Sequence, residues 1–322
     1  MTLFWRIISW LATFGVFIAG IFAGTNNMDF TANYKKAVKS VDFYENDFDS
    51  AVPQTEIYNM INDFVSADSG EKEKKVIVIG YDGCRADNLT LCKSAEESGI
   101  KAILADGGHC VLSYCGGVNY PRINTQATST APGWCSMLTG AWADVHGVTD
   151  NGIPKSNDHL TLLTTLIENK KIDSSAFYVS WGGHFNGEDS TYYPERMYIE
   201  EKGLPASFVC ANGDEGTYAN VMADLGKADC SDFIFSIFEH CDHIGHDTGF
   251  YFGNEDQVKA FDEMDTTAKE VIDAVKAREN YANEDWLIIL TSDHGGYNSW
   301  HGGPTMQERY TFIACNKEIT VK

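Results

Sequence analysis

Val76-Ile77-Val78-Ile79-Gly80-Tyr81 is the stretch that decides the fold. It is β-branched almost throughout and shows no alternation of apolar with polar residues. A strand covered on both faces reads this way, and such strands belong to parallel sheets flanked by helices. The run ends on Asp82. Similar apolar runs predict strands at 176–181, 233–238, 286–291 and 310–314, with a brief one at 102–104. Helical spacing predicts helices over 86–98, 160–170, 218–225 and 258–278. The last has Phe261, Met264, Ala268, Val271, Ile272 and Val275 on one face. Strand alternating with helix implies an α/β fold with helices on both faces of a mostly parallel sheet.

The chain has 322 residues, 43 % hydrophobic and 22 % charged, enough for a large buried core. Its formal net charge is −22, which argues against a nucleic-acid docking surface. The same charge is compatible with a small phosphorylated substrate where metal ions supply local positive charge. The nine cysteines include no CxxC pair, so a structural zinc ribbon is not expected. Their odd number leaves at least one free or paired between chains, and Cys110 and Cys115 are close enough in sequence to bridge.

Residues 1–24 read as a signal peptide or transmembrane anchor. From Leu3 to Gly24 the segment is apolar or small, and Arg6 is its sole charge. Either reading sends the remainder across a membrane, to an extracytoplasmic location, anchored or secreted. Residues 25–73 read as a polar, acidic linker carrying one short amphipathic helix, with Ile57, Met60, Ile61 and Phe64 at helical spacing. The catalytic domain is expected to span 74–322.

In open α/β sheets ligands bind beyond the carboxyl ends of the strands. Three apolar runs each lead into an aspartate: Asp82, Asp242 and Asp293. His246 lies four residues after Asp242, His294 directly follows Asp293, and His301 stands in a glycine-flanked loop. Carboxylate oxygen mixed with imidazole nitrogen suits zinc better than magnesium or calcium. Three Asp and three His provide ligands for two ions, with the hydroxyl of Thr130 as a further ligand. Thr130 opens Thr130-Ala131-Pro132-Gly133, a predicted helix start with Pro132 in the first turn and Gly140 as its stop. A helix N-terminus presents free N–H groups to an anion such as phosphate.

The ordered set of motifs resembles the alkaline phosphatase superfamily, most of all its nucleotide pyrophosphatase/phosphodiesterase branch. The matching stretches run from Val78 to Arg85, from Thr130 through Gly140, and from His146 to Asn151. They continue with Asp242-His243-Ile244-Gly245-His246, Ser292-Asp293-His294-Gly295-Gly296, His301-Gly302-Gly303 and Glu308-Arg309. The resemblance implies an alkaline-phosphatase-like three-layer α/β/α sandwich. It puts Thr130 in the place of the nucleophile, and Asp82, Asp293, His294 and Thr130 in the place of the ligands of one zinc. Asp242, His246 and His301 take the place of the ligands of the second, and Asn151 that of the donor to a phosphoryl oxygen.

The implied activity is cleavage of phosphodiester or pyrophosphate bonds through a phospho-threonine intermediate. The alternatives are a phosphomonoesterase or phosphonate hydrolase on the same site and, from another class, a catalytically silent membrane-anchored binding protein. A sulfatase is disfavoured, because its modified nucleophile needs Cys or Ser in a different context. Gly133 and Cys241 depart from the family pattern, which has asparagine and proline there. His146 reads as structural, and so do His109, His159, His184 and His240. Tyr297 and Trp300 lie between two ligand motifs, where they either line the substrate pocket or simply pack.

Overall fold

The computed structural model describes residues 51–68, 70–91, 97–117 and 126–319. The sheet in this part has eight strands: β1 (Val52–Pro53), β2 (Glu73–Tyr81), β3 (His109–Tyr114), β4 (Ser175–Val179), β5 (Ala206–Cys210), β6 (Phe233–Phe238), β7 (Glu284–Thr291) and β8 (Tyr310–Cys315). Their order is β1-β3-β8-β7-β2-β6-β4-β5. Only β8 runs against its neighbours, β3 and β7. The expected mostly parallel α/β sheet is therefore present.

β2 is central, and the period-two geometry of a strand divides its side chains between two cores. Val76 and Val78 face one side, packed with α1 (Glu56–Ser66), α3 (Thr130–Thr139) and α5 (Leu162–Glu168). Ile77, Ile79 and Tyr81 face the other, with α2 (Gly99–Ala105), α7 (Gly213–Leu225) and α9 (Glu255–Lys276). Both faces of the strand are covered, which is why it shows no polar alternation. The remaining described α-helices are α4 (Ala143–His146), α6 (Tyr193–Lys202), α8 (His240–Thr248) and α10 (Met306–Arg309).

Three expectations need correction. The run 102–104 belongs to helix α2, not to a strand. Ser98 Oγ caps the helix by accepting from Lys101 N at 3.1 Å, and Ile100 and Ile103 are buried at helical spacing. A three-residue apolar run is too short to tell strand from helix by periodicity. The helix expected over 86–98 is a 3₁₀ turn at Ala86–Leu91, and the next five residues lie outside the described part. The folded unit also begins before Lys74. Ile57, Ile61 and Val65 of α1 enter the first core, and β1 pairs with β3.

Among the described residues no helix is long and apolar enough to cross a membrane. Residues 1–24, read as signal peptide or anchor, lie outside them. The eight described cysteines are free, so Cys110 and Cys115 are not bridged.

Candidate metal centre and nucleophile

Topology explains why the acids converge. β6 and β7 flank β2 in parallel, with Tyr81 opposite Phe238 and Gly80 opposite Thr291. Adjacent strands lie about 4.8 Å apart, so residues just beyond their carboxyl ends become neighbours. Asp82 follows β2, and its N–H donates to Phe238 O at 2.9 Å. Asp293 lies two residues past β7. The segment after β6 turns at once into α8, whose first turn carries Asp242. His246 is one helical turn further on the same face, its Nε2 3.3 Å from Asp242 Oδ2. Gly83, at φ +64°, makes the close approach possible: a Cβ there would lie 2.5 Å from Asp242 Oδ1.

Two sets of three ligand-type atoms each gather within 4.8 Å of one another: Asp82, Asp293 and His294, and Asp242, His294 and His301. His294 Nε2 stands 3.4 Å from Asp82 Oδ1 and 3.4 Å from Asp293 Oδ2. His301 Nε2 is 3.7 Å from Asp242 Oδ1. The rings of His294 and His301 lie 4.1 Å apart, and those of His246 and His301 5.0 Å. Five of the six expected Asp and His ligands fall in these sets, His294 in both; His246 is in neither set and stands beside Asp242 and His301.

The electrostatics are those of a site built for cations. Burial and the nearby Asp82 push the Asp293 carboxyl well above the usual range. Burial also acts to raise Asp82, but contact with the His294 imidazole and the Trp134 hydrogen bond bring it below its ordinary value. Burial opposes the charge on His294, while Asp293 and Asp82 lift it to about 10. Burial and the neighbouring His294 hold His301 at about 4. Asp242 Oδ1, Asp293 Oδ2 and His294 Nε2 are buried and make no hydrogen bond. Buried polar atoms of this kind are normally satisfied. Orphaned oxygens beside an orphaned imidazole nitrogen fit divalent-cation ligands.

Thr130 is the first residue of α3, 5 % exposed, and its Oγ1 donates to Asp82 Oδ1 at 3.3 Å. Asn151 Oδ1 accepts the Ala131 N–H at 2.8 Å, which ties it to the same helix start. Gly140, at φ +68°, ends the helix where the sequence places its stop. Gly133 is needed for contact: a Cβ there would lie 2.8 Å from Asp293 Cβ. The helix start therefore sits directly on the loop that carries Asp293 and His294.

Several supporting residues escaped sequence reasoning. Trp134 Nε1 donates to Asp82 Oδ2 at 2.8 Å. The backbone oxygens of Thr128 and Ser299 stand 3.2 and 3.1 Å from Nδ1 of His301 and His246, holding each ring with Nε2 toward Asp242. Buried Glu239 is pushed well above the usual carboxylate range by burial and by Asp82. Its Oε1 is 3.7 Å from Nε2 of buried His184, which burial holds at about 4. No spacing rule singles these residues out. His146 is 3.1 Å from Ser136 Oγ and accepts from Val148 N at 3.1 Å, contacts of a packing residue.

The family of type I phosphodiesterase / nucleotide pyrophosphatase matches residues 76–299. No curated protein matches the chain. Among solved structures, the phosphonate monoester hydrolase of Agrobacterium radiobacter is similar at 14 % identity and a TM-score of 0.50, over 76 % of this chain and 68 % of that one. Murine ectonucleotide pyrophosphatase / phosphodiesterase 5 is similar at 19 % identity and a TM-score of 0.45, over 69 % of this chain. This chain spans 57 % of the length of that murine protein. An inactive form of it, solved in complex with AMP, is similar at 20 % identity and a TM-score of 0.46, over 69 % of this chain and 57 % of that one. The chain belongs to the type I phosphodiesterase / nucleotide pyrophosphatase family, and its fold is alkaline-phosphatase-like.

Proposed function

We propose that this member of the type I phosphodiesterase / nucleotide pyrophosphatase family hydrolyses phosphodiester or pyrophosphate bonds of small substrates, nucleotides among them. The reaction passes through a phosphate ester on Thr130 at a site holding two zinc ions. The observation that carries this reading is one cluster: a helix-start hydroxyl 3.3 Å from Asp82, beside buried carboxylate and imidazole atoms left without hydrogen bonds. Asp82, Asp293, His294 and Thr130 would hold one ion; Asp242, His246 and His301 would hold the other. Zinc supplies the Lewis acidity that turns a poor threonine hydroxyl into a nucleophile and lowers the pKa of water.

The chain's own residues do the rest. Thr130 Oγ1 forms a bond to phosphorus while the bond to the leaving oxygen breaks, and the electron pair departs with that oxygen. The hydroxyl proton passes toward Asp82, the acceptor it already faces. Water then attacks the same phosphorus as its bond to Thr130 Oγ1 breaks, releasing a phosphate monoester; the proton returns from Asp82 to the threonine oxygen, and the proton given up by the water neutralises the oxygen that departed first. Asn151 spends its oxygen on Ala131 N–H, so its amide NH₂ is the end left to meet a phosphoryl oxygen.

A diester is favoured over a monoester because the extra charge of a monoester calls for another cation. Arg85, three residues past Asp82, is buried and engaged with Asp87 at 2.9 and 2.6 Å and with Phe250 O at 2.7 Å. Lys155 is paired with Glu195 at 2.9 Å. The apolar segment from Leu3 to Gly24 supports an extracytoplasmic enzyme, anchored or secreted. Elemental analysis is expected to return two zinc equivalents per chain. Bis-p-nitrophenyl phosphate is expected to be cleaved faster than the monoester. Absence of bound metal, or a strong monoester preference, would overturn the reading.

A further inference from the structure

Trp300 is 69 % exposed, the most open large apolar side chain among the described residues. Its backbone belongs to a tight turn. Tyr297 and Trp300 exchange backbone hydrogen bonds of 2.9 and 3.2 Å across a two-residue turn, with Asn298 at φ +56°. Asn298 O accepts from Phe250 N, and Ser299 O stands 3.1 Å from His246 Nδ1. The turn that presents the indole therefore also orients a ligand imidazole. The indole lies nearly parallel to His301, 7° between planes and 5.9 Å between centroids, and edge-on to His246 at 5.0 Å. An exposed tryptophan gains nothing from folding at that position. One set against the rings of His246 and His301 by a turn with left-handed Asn298 is placed for a ligand.

The reaction axis says which part of the ligand. In-line displacement puts the leaving oxygen opposite the attacking one. Thr130 lies beside Asp82, so the departing group leaves on the side of Asp242, His246 and His301. Trp300 rims that side.

We propose that Trp300 is a specificity-determining residue that stacks on a planar aromatic leaving group. This rests on the reading of Thr130 as nucleophile and of the two ligand sets as one reaction site. The stacked group is the one expelled, distinct from the portion transferred to Thr130. Flat rings gain from indole stacking and alkyl chains gain little, so the prediction is a selectivity and not a rate.

The test compares phosphodiesters with phenyl-type and trifluoroethyl leaving groups in the wild type, Trp300→Phe and Trp300→Ala, at matched zinc content. Trp300→Ala is expected to lower the aryl-to-alkyl ratio of kcat/KM about tenfold, the scale of one lost stacking partner. Trp300→Phe is expected to keep most of the ratio. Equal losses on both substrates would overturn the proposal, since they would make Trp300 only a prop for the histidines. Should zinc-loaded wild type cleave neither diester, the hydrolase reading fails, and binding decides the stacking alone. In that case phenylphosphonate is expected to bind more tightly than ethylphosphonate by calorimetry, with the difference lost in Trp300→Ala. Equal binding would overturn the assignment.

Discussion

The two halves of the proposed metal centre are built differently. Asp82, Asp293 and His294 are fully buried at the ends of adjacent strands, and Trp134 and the N–H of Gly83 brace the carboxylates. Asp242, His246 and His301 come from a helix and a loop, with the His246 side chain 28 % and the Asp242 side chain 10 % exposed. The inner half is anchored by the sheet, where displacement must disturb the core. The outer half rests on hydrogen bonds between loops. The inner half should therefore fix the nucleophile, and the outer half should adapt to what leaves.

The largest effect tests the inner half. Thr130→Ala is expected to lower turnover on the order of 10⁴-fold or more, the scale of removing a nucleophile, with metal content largely retained. Surviving activity in that variant would remove Thr130 from its role and with it the distinction between the halves. Unequal metal retention is the next sharpest test. Asp293→Asn should lose the inner ion and much of the stability of the fold, whereas His246→Ala should release only the outer ion and leave the thermal midpoint nearly in place. Equal loss from both variants would mean that the halves bind as one unit.

Protons separate the halves further. In the metal-free protein His294 is raised from 6.5 to about 10, so at pH 8 it is protonated, and zinc must displace that proton. His301, at about 4, has no proton to give up. In a variant lacking His246 and His301, affinity for the remaining ion is expected to rise about tenfold per pH unit between pH 7 and 9. Calorimetry in buffers of different ionisation enthalpy counts the released protons, and pH-independent binding would contradict the assignment. Stability follows the same sign. The folded pKa of His294 exceeds its unfolded value, so its contribution is fully present below about 6.5 and is lost as pH rises through about 10. Asp293, also raised, acts in the same direction. Metal-free protein should lose stability toward alkaline pH, and zinc should restore it.

The inner half was also the more legible in sequence, for a physical reason. Its ligands follow strands covered on both faces, and such strands write themselves as unbroken runs such as Val76-Ile77-Val78-Ile79. Strands at or near the sheet edges leave weaker marks. β3 and β5 carry exposed or half-buried positions, and neither was anticipated. His246 and His301 are singled out in the sequence by spacing from Asp242, by a glycine-flanked loop and by motifs that resemble a known family. What holds them was not readable, since the backbone oxygens of Thr128 and Ser299 have no residue signature. Trp134 looked like any core aromatic until Asp82 was placed beside its indole nitrogen.

A smaller effect probes that last contact. Trp134→Phe removes a hydrogen bond to a buried carboxylate, worth about 1.5–3 kcal/mol when the acceptor is charged. Affinity for the inner ion is expected to fall about tenfold or more while the outer ion is kept. Unchanged inner affinity would show that the sheet alone holds Asp82.

The smallest effect belongs to Thr128, which fastens the outer loop. Its Oγ1 donates to Gly303 O at 2.8 Å and accepts from Gly302 N at 3.0 Å, on the two residues that follow His301, which its carbonyl meets. Thr128→Val keeps the shape and the backbone carbonyl but removes both side-chain hydrogen bonds. The loop would then hold His301 less firmly, as when a partner of a ligand is lost, and outer-ion affinity should fall about tenfold. The inner ion should stay in place, because Asp82 and Asp293 keep their own braces, Trp134 and the N–H of Gly83, and the His294 ring beside His301 is the link between the halves. If zinc titration instead shows both ions weakened alike, His294 transmits the disturbance, and the centre is a single cooperative unit whose two ends differ only in exposure.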